Sequence, residues 1–380
     1  MLPIDASNQD TIFSSLSLPF AQHSPTLRAI IVQKLPSIHP LIELRGSPRS
    51  CGRQYGERQA EAIEAFLHTE VTPDAKRLRY AARCWRVLSR WKKHVSEFVR
   101  GMAEGSHLAV EEVTLLLLHE EIVHCKPCTA VGATGPGTAD GKPIIGQNWD
   151  WNPRLYPWAG LTRLHARGIP ASFFYSYPGL WASAGINEHG FSLVWTGAGY
   201  LPTVRPVVGI PTYALIAGLL ACRDCQQALK LLRETRLAGC FIFFIADARR
   251  EVWVVEGLPR RFEAVRCEDV ISRANHYQSA RICRLSRQPT DPPPNPGTNT
   301  WFRGRRMSKL AQRYRGRFDR HLVEKCLCDE FGGMGKSICQ RPGHGRRSLS
   351  IDSFYCLPVQ RQFWIARGVP SSHEYRCYSV

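Results

Sequence analysis

With 380 residues, 44% of them hydrophobic and 10% aromatic, the chain can bury one large core or two ordinary ones and is too apolar to be disordered. Its formal net charge is +18, and fifteen Lys or Arg against five Asp or Glu fall between Arg260 and Arg320. Such a field attracts anions, but no zinc-finger, RNA-recognition or helix-turn-helix pattern accompanies it, which argues against a nucleic-acid partner. No run approaches the ~18 apolar residues of a membrane span.

Residues 1–40 carry no basic residue before Arg28 and read as a weakly ordered tail without a secretory signal. "LIELRG" (41–46) alternates like a strand, and "SPRSCGRQYGERQAEAIEAFLHTEV" opens a helix after a Ser47-Pro48 turn. Residues 73–103 predict further helix. "GMAEGSHLAVEEVTLLLLHEEIVH" (101–124) predicts a helix end, a turn and a second helix led by Glu111 and Glu112. From Cys128 the period changes to two: "CTAVGAT", "KPIIGQNWDW", "GLTRLHAR", "ASFFYSY", "WASAGINEHGFSLVWTGAG", "CFIFFIADARREVWVVEG" and "RFEAVRC" read as strands joined by Gly, Asn, Asp and Pro turns. Helical stretches interrupt them at about 212–235 and 303–328, a proline-rich loop spans 286–300, and "SLSIDSFYC" and "QRQFWIARG" close the chain. Antiparallel hairpins with helices gathered in blocks predict an α+β layered sandwich, one structural domain overall, with no dinucleotide or P-loop motif.

Fourteen cysteines are too few for a disulfide scaffold in a chain this long, and several sit in apolar or helical patterns, which suggests a reducing, cytoplasmic setting. Cys125 and Cys128 form one C-x-x-C pair and Cys222 and Cys225 another, but the spacing between them spans five or six strands, far beyond a zinc ribbon, and Asp224 reads as a helix N-cap. A thioredoxin-like pair would need a helix after its first cysteine, where here a strand follows. No metal is expected.

Cys128 opens the first strand of the antiparallel core, Asp150 falls near the end of the next, and Asn275 is expected on a later one, in "SRANHYQ". A thiol nucleophile needs a base, an orienting group and an oxyanion donor. If Cys128 began a processed chain, its own α-amine, with a reference pKa of about 7.7–8.0 against about 8.5 for the thiol, could serve as the base.

These residues carry a resemblance to the acyl-coenzyme A:6-aminopenicillanic acid (isopenicillin N) acyltransferases, peptidase family C45. "PCTAVGA…IGQNWDW" is similar to that family's nucleophile strand and following hairpin. Ordered similarities run over 41–370: "ELRGSPRSCGRQYGERQAEAI", "VRGMAEGSHLAVEEVTLLLLHEE", "GINEHGFSLVWTG", "GIPTYALIAGLLACRDCQQAL", "NTWFRGRRM", "SICQRP" and "SLSIDSF…QFWIARGVP". The resemblance implies a four-layer αββα sandwich of the N-terminal-nucleophile (Ntn) hydrolase type, two antiparallel sheets with helices outside, made as a precursor that cleaves itself between Pro127 and Cys128. The products would be a helical chain of residues 1–127, its ordered part 41–127, and a catalytic chain of residues 128–380, which stay partners. By position, Cys128 is nucleophile and, through its new amine, base. Asp150 holds amine and thiol, Asn275 donates to the oxyanion, and Arg346 or Arg347 anchors the site electrostatically. The activity implied is hydrolysis or formation of a non-peptide amide through a thioester, on a small-molecule amide or acyl donor, with acyl-coenzyme A as a possible co-substrate and no other cofactor.

Pro127 stands where the family has glycine, and its fixed φ means that an N→S acyl shift there needs strain. Cys240 replaces a serine near the penicillin enzymes' site, and a serine expected close to the final strands has no clear match, which speaks against penicillin as substrate. The alternative reading is an uncleaved, inactive member of the fold that binds an anionic partner through its basic surface.

Overall fold

A computed structural model of the chain describes residues 38–123, 127–198, 204–288, 299–333, 336–341 and 349–380. The N-terminal tail assigned to residues 1–40 therefore lies almost wholly outside the described residues, as does most of the proline-rich loop.

The N-terminal part supplies one strand and a block of helices. β1 (Leu41–Gly46) leads into α1 (Pro48–Phe66), where Ser47 accepts from the Ser50 N–H at 3.2 Å and Pro48 fills the first turn, whose N–H groups have no helical partner. α2 (Ala75–Leu88) and α3 (Lys93–Ser106) follow, separated by a break at residues 89–92 that divides the single helical stretch expected from the sequence. α4 (Val110–Leu117) and α5 (His119–Val123) complete the block. α1 and α3 pack backbone to backbone through four glycines. A Cβ at Gly52 would fall 2.0 Å from the Phe98 carbonyl oxygen, and one at Gly101 2.0 Å from that of Arg49, with Gly56 and Gly105 nearly as tight.

The strands then come in the order the alternation predicts. β2 (Cys128–Ala133), β3 (Ile144–Trp151), β4 (Gly160–Ala166), β5 (Ser172–Ser176), β6 (Ala184–Asn187) and β7 (Ser192–Thr196) precede α6 (Thr212–Leu219) and α7 (Cys225–Glu234). Asp224 caps α7 by accepting from the Gln227 N–H at 2.8 Å, as its position suggested. β8 (Phe241–Ala246), β9 (Val252–Leu258), β10 (Arg261–Arg266) and the short β11 (Val270–Arg273) follow. α8 (Ala280–Ser286), which the sequence did not signal, leads up to the proline-rich stretch, α9 (Asn299–Arg313) and α10 (Arg320–Leu327) come next, and β12 (Leu349–Leu357), β13 (Gln362–Arg367) and an unanticipated β14 (Arg376–Ser379) end the chain.

Two sheets result, one ordered β1-β4-β5-β6-β7-β8-β9-β10 and the other β11-β2-β3-β12-β13-β14. The sheets are antiparallel, as expected, apart from one edge, where β1 pairs with β4 in parallel. The sheets pack face to face: β2 and β3 lie on β7 and β8, and Gly132 sits against Val252 and Phe244. α9 packs on β2 and β11, and α10 on β3, while α6 and the N-terminal helices cover the larger sheet. The order of layers is αββα, and the fold is α+β. Strands buried on both faces read as continuous apolar runs, as in "FIFFIA", where every residue is buried. Among the described residues no helix is long and apolar enough to cross a membrane.

Gly52→Ala or Gly101→Ala forces α1 and α3 apart. Each is expected to lower unfolding free energy by roughly 1–3 kcal/mol, the usual cost of overpacking, measured by urea denaturation.

Candidate active site

β2 begins at Cys128, which pairs with Trp149 on β3, so the neighbouring Asp150 lies beside the Pro127–Cys128 peptide. The Asp150 N–H donates to the Pro127 carbonyl at 3.2 Å. Asp150 is fully buried. Its Oδ1 accepts from Ser350 Oγ at 2.5 Å, and its Oδ2 has no hydrogen-bond partner among the described residues. Burial pushes this carboxyl up to about 7, against the pull of the Arg303 charge and the Ser350 hydrogen bond. Burial also pushes the Cys128 thiol up to about 12, helped by the Asp150 charge and opposed by the Asp150 N–H and Arg303.

Asn275 lies just past the end of β11 rather than on a strand. Thr300 Oγ1 holds its backbone N–H at 2.8 Å. Its side-chain Oδ1 accepts from the Cys128 N–H at 2.8 Å and from Arg303 Nη2 at 2.6 Å, and its Nδ2 donates to the Gly197 carbonyl at 2.9 Å. Two donors on one side and an acceptor on the other fix which atom is oxygen. In the continuous chain the asparagine thus holds the Cys128 N–H with its oxygen and the Gly197 carbonyl with its amide.

Arg303 on α9 is the residue that sequence reasoning missed. It is fully buried, and its guanidinium donates to the Cys128 carbonyl, to Thr129 Oγ1 at 2.5 Å and to Asn275 Oδ1. Gly304 brings α9 this close, since a Cβ there would lie 2.9 Å from the His276 ring. Burial and the charges of Arg303, Arg273 and Arg305 push His276 down to about 3; it bonds Thr300 Oγ1 at 3.0 Å and packs on Trp301 as a neutral ring. Ser350 on β12, which the sequence did not single out, accepts from the Gln340 N–H at 2.9 Å. Arg346, Arg347 and Cys125 lie outside the described residues. Trp149, Trp151 and Trp181 are buried in aromatic packing; Trp181 stacks on Phe98 at 3.9 Å.

The second C-x-x-C pair is divided between two neighbourhoods: the Cys222 thiol meets the Gly218 carbonyl, and that of Cys225 the Glu251 carbonyl. Among the described residues, Cys225, Asp247 and Glu251 gather potential ligand atoms within 4.8 Å. The Asp247 carboxylate is already taken by the N–H groups of Cys225, Arg249 and Glu251, at 2.8, 2.9 and 3.2 Å, which is a turn cap.

A sequence model of the family described as acyl-coenzyme A:6-aminopenicillanic acid acyl-transferase matches residues 137–369, more than half of the chain. The chain is similar to the 40 kDa form of acyl-coenzyme A:6-aminopenicillanic-acid-acyltransferase of Emericella nidulans, 23% identical over 349 residues that cover 88% of this chain and 94% of that one. Among solved structures, a conjugated bile acid hydrolase from Clostridium perfringens aligns with a TM-score of 0.42 at 12% identity, over 67% of this chain and 97% of that one. Penicillin V acylase from Agrobacterium tumefaciens aligns at 0.43 and 11%, over 67% and 86%.

Arg303→Met takes a charged donor from the Cys128 carbonyl, Thr129 Oγ1 and Asn275 Oδ1, the last of which keeps the Cys128 N–H, at about 1–3 kcal/mol for each acceptor left unpaired. The variant is expected to lose several kcal/mol of stability in chemical denaturation, and Arg303→Lys, which cannot fork to all three, to recover only part.

Proposed function

The chain belongs to the acyl-coenzyme A:6-aminopenicillanic acid acyl-transferase family, and from that membership we propose that it is a precursor that severs its own Pro127–Cys128 bond. It then works as an amide hydrolase or N-acyltransferase through a thioester on Cys128. The observation that carries this reading is the constellation around one peptide bond: a buried thiol, an N–H on the scissile carbonyl, a carboxylate with a spare oxygen, and Asn275 and Arg303 gripping the residue to be freed.

In the intact chain the Cys128 nitrogen is an amide and no base, so the first proton goes to Asp150 Oδ2. The sulfur attacks the Pro127 carbonyl carbon, and the Asp150 N–H bears the developing oxyanion. The C–N bond breaks as the nitrogen regains a proton from Asp150, leaving Pro127 as a thioester on Cys128. Water hydrolyses this ester, yielding a Pro127 carboxylate, a free thiol and a free α-amine. The chain of residues 1–127 and that of 128–380 remain packed together.

In turnover, the substrate carbonyl takes the position that the Pro127 carbonyl leaves and meets the same N–H donor. The new amine, held by Asn275 Oδ1, accepts the thiol proton and returns it to the leaving nitrogen. The buried Arg303 charge disfavours the ammonium form and keeps the amine a base. Water completes hydrolysis and an amine completes acyl transfer. The donor is a small amide or a thioester such as an acyl-coenzyme A, and Cys240 in place of the family's serine points away from penicillin.

Wild type is expected to run as two bands on a denaturing gel and Cys128→Ala as one, with the new band's N-terminal sequence reading Cys-Thr-Ala. A single full-length band for both would overturn self-cleavage and favour the uncut, anion-binding alternative. Because Asp150 must be ionised to accept the proton, the cleavage rate should rise with pH to a plateau above about 7. Ser350→Ala, which removes a donor to the ionised carboxylate, should move that midpoint upward; pulse-chase gels across pH measure both.

A further inference from the structure

α5 places two adjacent acids, Glu120 and Glu121, just before the Pro127–Cys128 bond, and both are buried, with 4% and 3% of their surface exposed. Each carboxylate occupies a space left by a glycine. A Cβ at Gly197 would lie 2.5 Å from Glu120 Oε1, and one at Gly239 2.7 Å from Glu121 Oε1. Gly197 is also the residue whose carbonyl accepts from Asn275 Nδ2, so α5 is seated on the asparagine side of the Cys128 site, and the Glu120 charge acts on the Cys128 thiol, itself 1% exposed. Glu121 Oε1 accepts from the N–H and hydroxyl of Thr212 at 2.9 and 2.7 Å, while its Oε2 is buried without a hydrogen-bond partner among the described residues. An ionised carboxylate with one oxygen buried and unbonded is costly.

We infer that Glu121 makes α5 a proton-controlled latch, seated at Gly197 and Gly239 beside the Cys128 site when the acid is neutral and released when it ionises. The groups facing it are Glu120 on the same helix, Tyr80 and Cys84 from α2, Tyr213 from α6 and Cys240 before β8. His119, on the same helix, faces Glu70 at 4.0 Å. Burial, with Glu120 adding to it, holds the Glu121 carboxyl at about 7 against an ordinary value of 4.5. A raised acid pKa means that the seated helix keeps its proton while the released helix loses it. Release therefore becomes easier as pH climbs from about 4.5 to about 7 and gains nothing further above that. What release accomplishes, opening the Cys128 site once its bond is cut, rests on the self-cleavage reading; the latch itself does not.

The test uses full-length Cys128→Ala, which stays whole whether or not the wild type cleaves. Hydrogen exchange of peptides containing residues 119–123, corrected for intrinsic rates, is expected to show protection falling on the order of a hundredfold between pH 5 and pH 7 and levelling above. Adding Glu121→Gln should flatten that profile, which separates Glu121 from Asp150 titrating in the same range. Adding Thr212→Val, which removes a donor to the ionised form, should carry the levelling point to higher pH. Protection that does not change between pH 5 and pH 7, or a fall that survives Glu121→Gln, overturns the latch. If Glu121→Gln does not fold, an unmoved levelling point in Thr212→Val does the same.

Discussion

The guanidinium of Arg303 is a full positive charge placed where water does not reach, between the first residue of β2 and the loop that follows β11. Its donors go to the Cys128 carbonyl, the Thr129 hydroxyl and Asn275 Oδ1. An arginine cannot shed its proton to escape burial, so these acceptors must stay in place, and with them the start of β2. The orientation of Asn275 follows from this, because an oxygen facing a guanidinium cannot turn its amide there. The cost of burying the charge is offset partly by α9 packing on β2 and β11 through Gly304 and by the field it shares with Asp150.

Around that fixed point the two sheets divide the work. The smaller sheet contributes Cys128, Asp150 and Ser350 from the adjacent strands β2, β3 and β12, an arrangement set by backbone register. The larger sheet and its helices contribute Gly197 after β7 and the seat of α5. Both acids pushed up to about 7, Asp150 and Glu121, owe this chiefly to burial. Closing the sandwich over Cys128 thus raises both carboxyl groups into the same range.

Most strands were legible because alternation and turn residues are local signals: "LIELRG" reads as β1, and "KPIIGQNWDW" contains β3 with two extra residues at its start. The parallel pairing of β1 with β4 was not, since it joins segments more than a hundred residues apart and leaves no local trace. Cys128, Asp150 and Asn275 were found by resemblance, not by pattern, for nothing in their spacing says that they converge. Arg303 hid among Arg305 and Arg306, because only the face it occupies separates a buried guanidinium from exposed ones, and the adjacent Gly304 was the one available clue to a close approach. Ser350 escaped because a register shift between Ser350 and Asp352 breaks the alternation that would have placed it.

The parallel ladder from β1 to β4 gains a second meaning in a chain cut at Pro127. β1 and the helices after it lie on one side of the cut and β4 on the other, so hydrogen bonds along Leu41–Gly46 and the packing of α1 to α5 would tether the fragments. The severed end would stay at a high effective concentration beside the thiol that released it. It would compete as a captive product with every substrate. Such an enzyme's affinity for its own cut tail would then set the floor that any substrate has to beat.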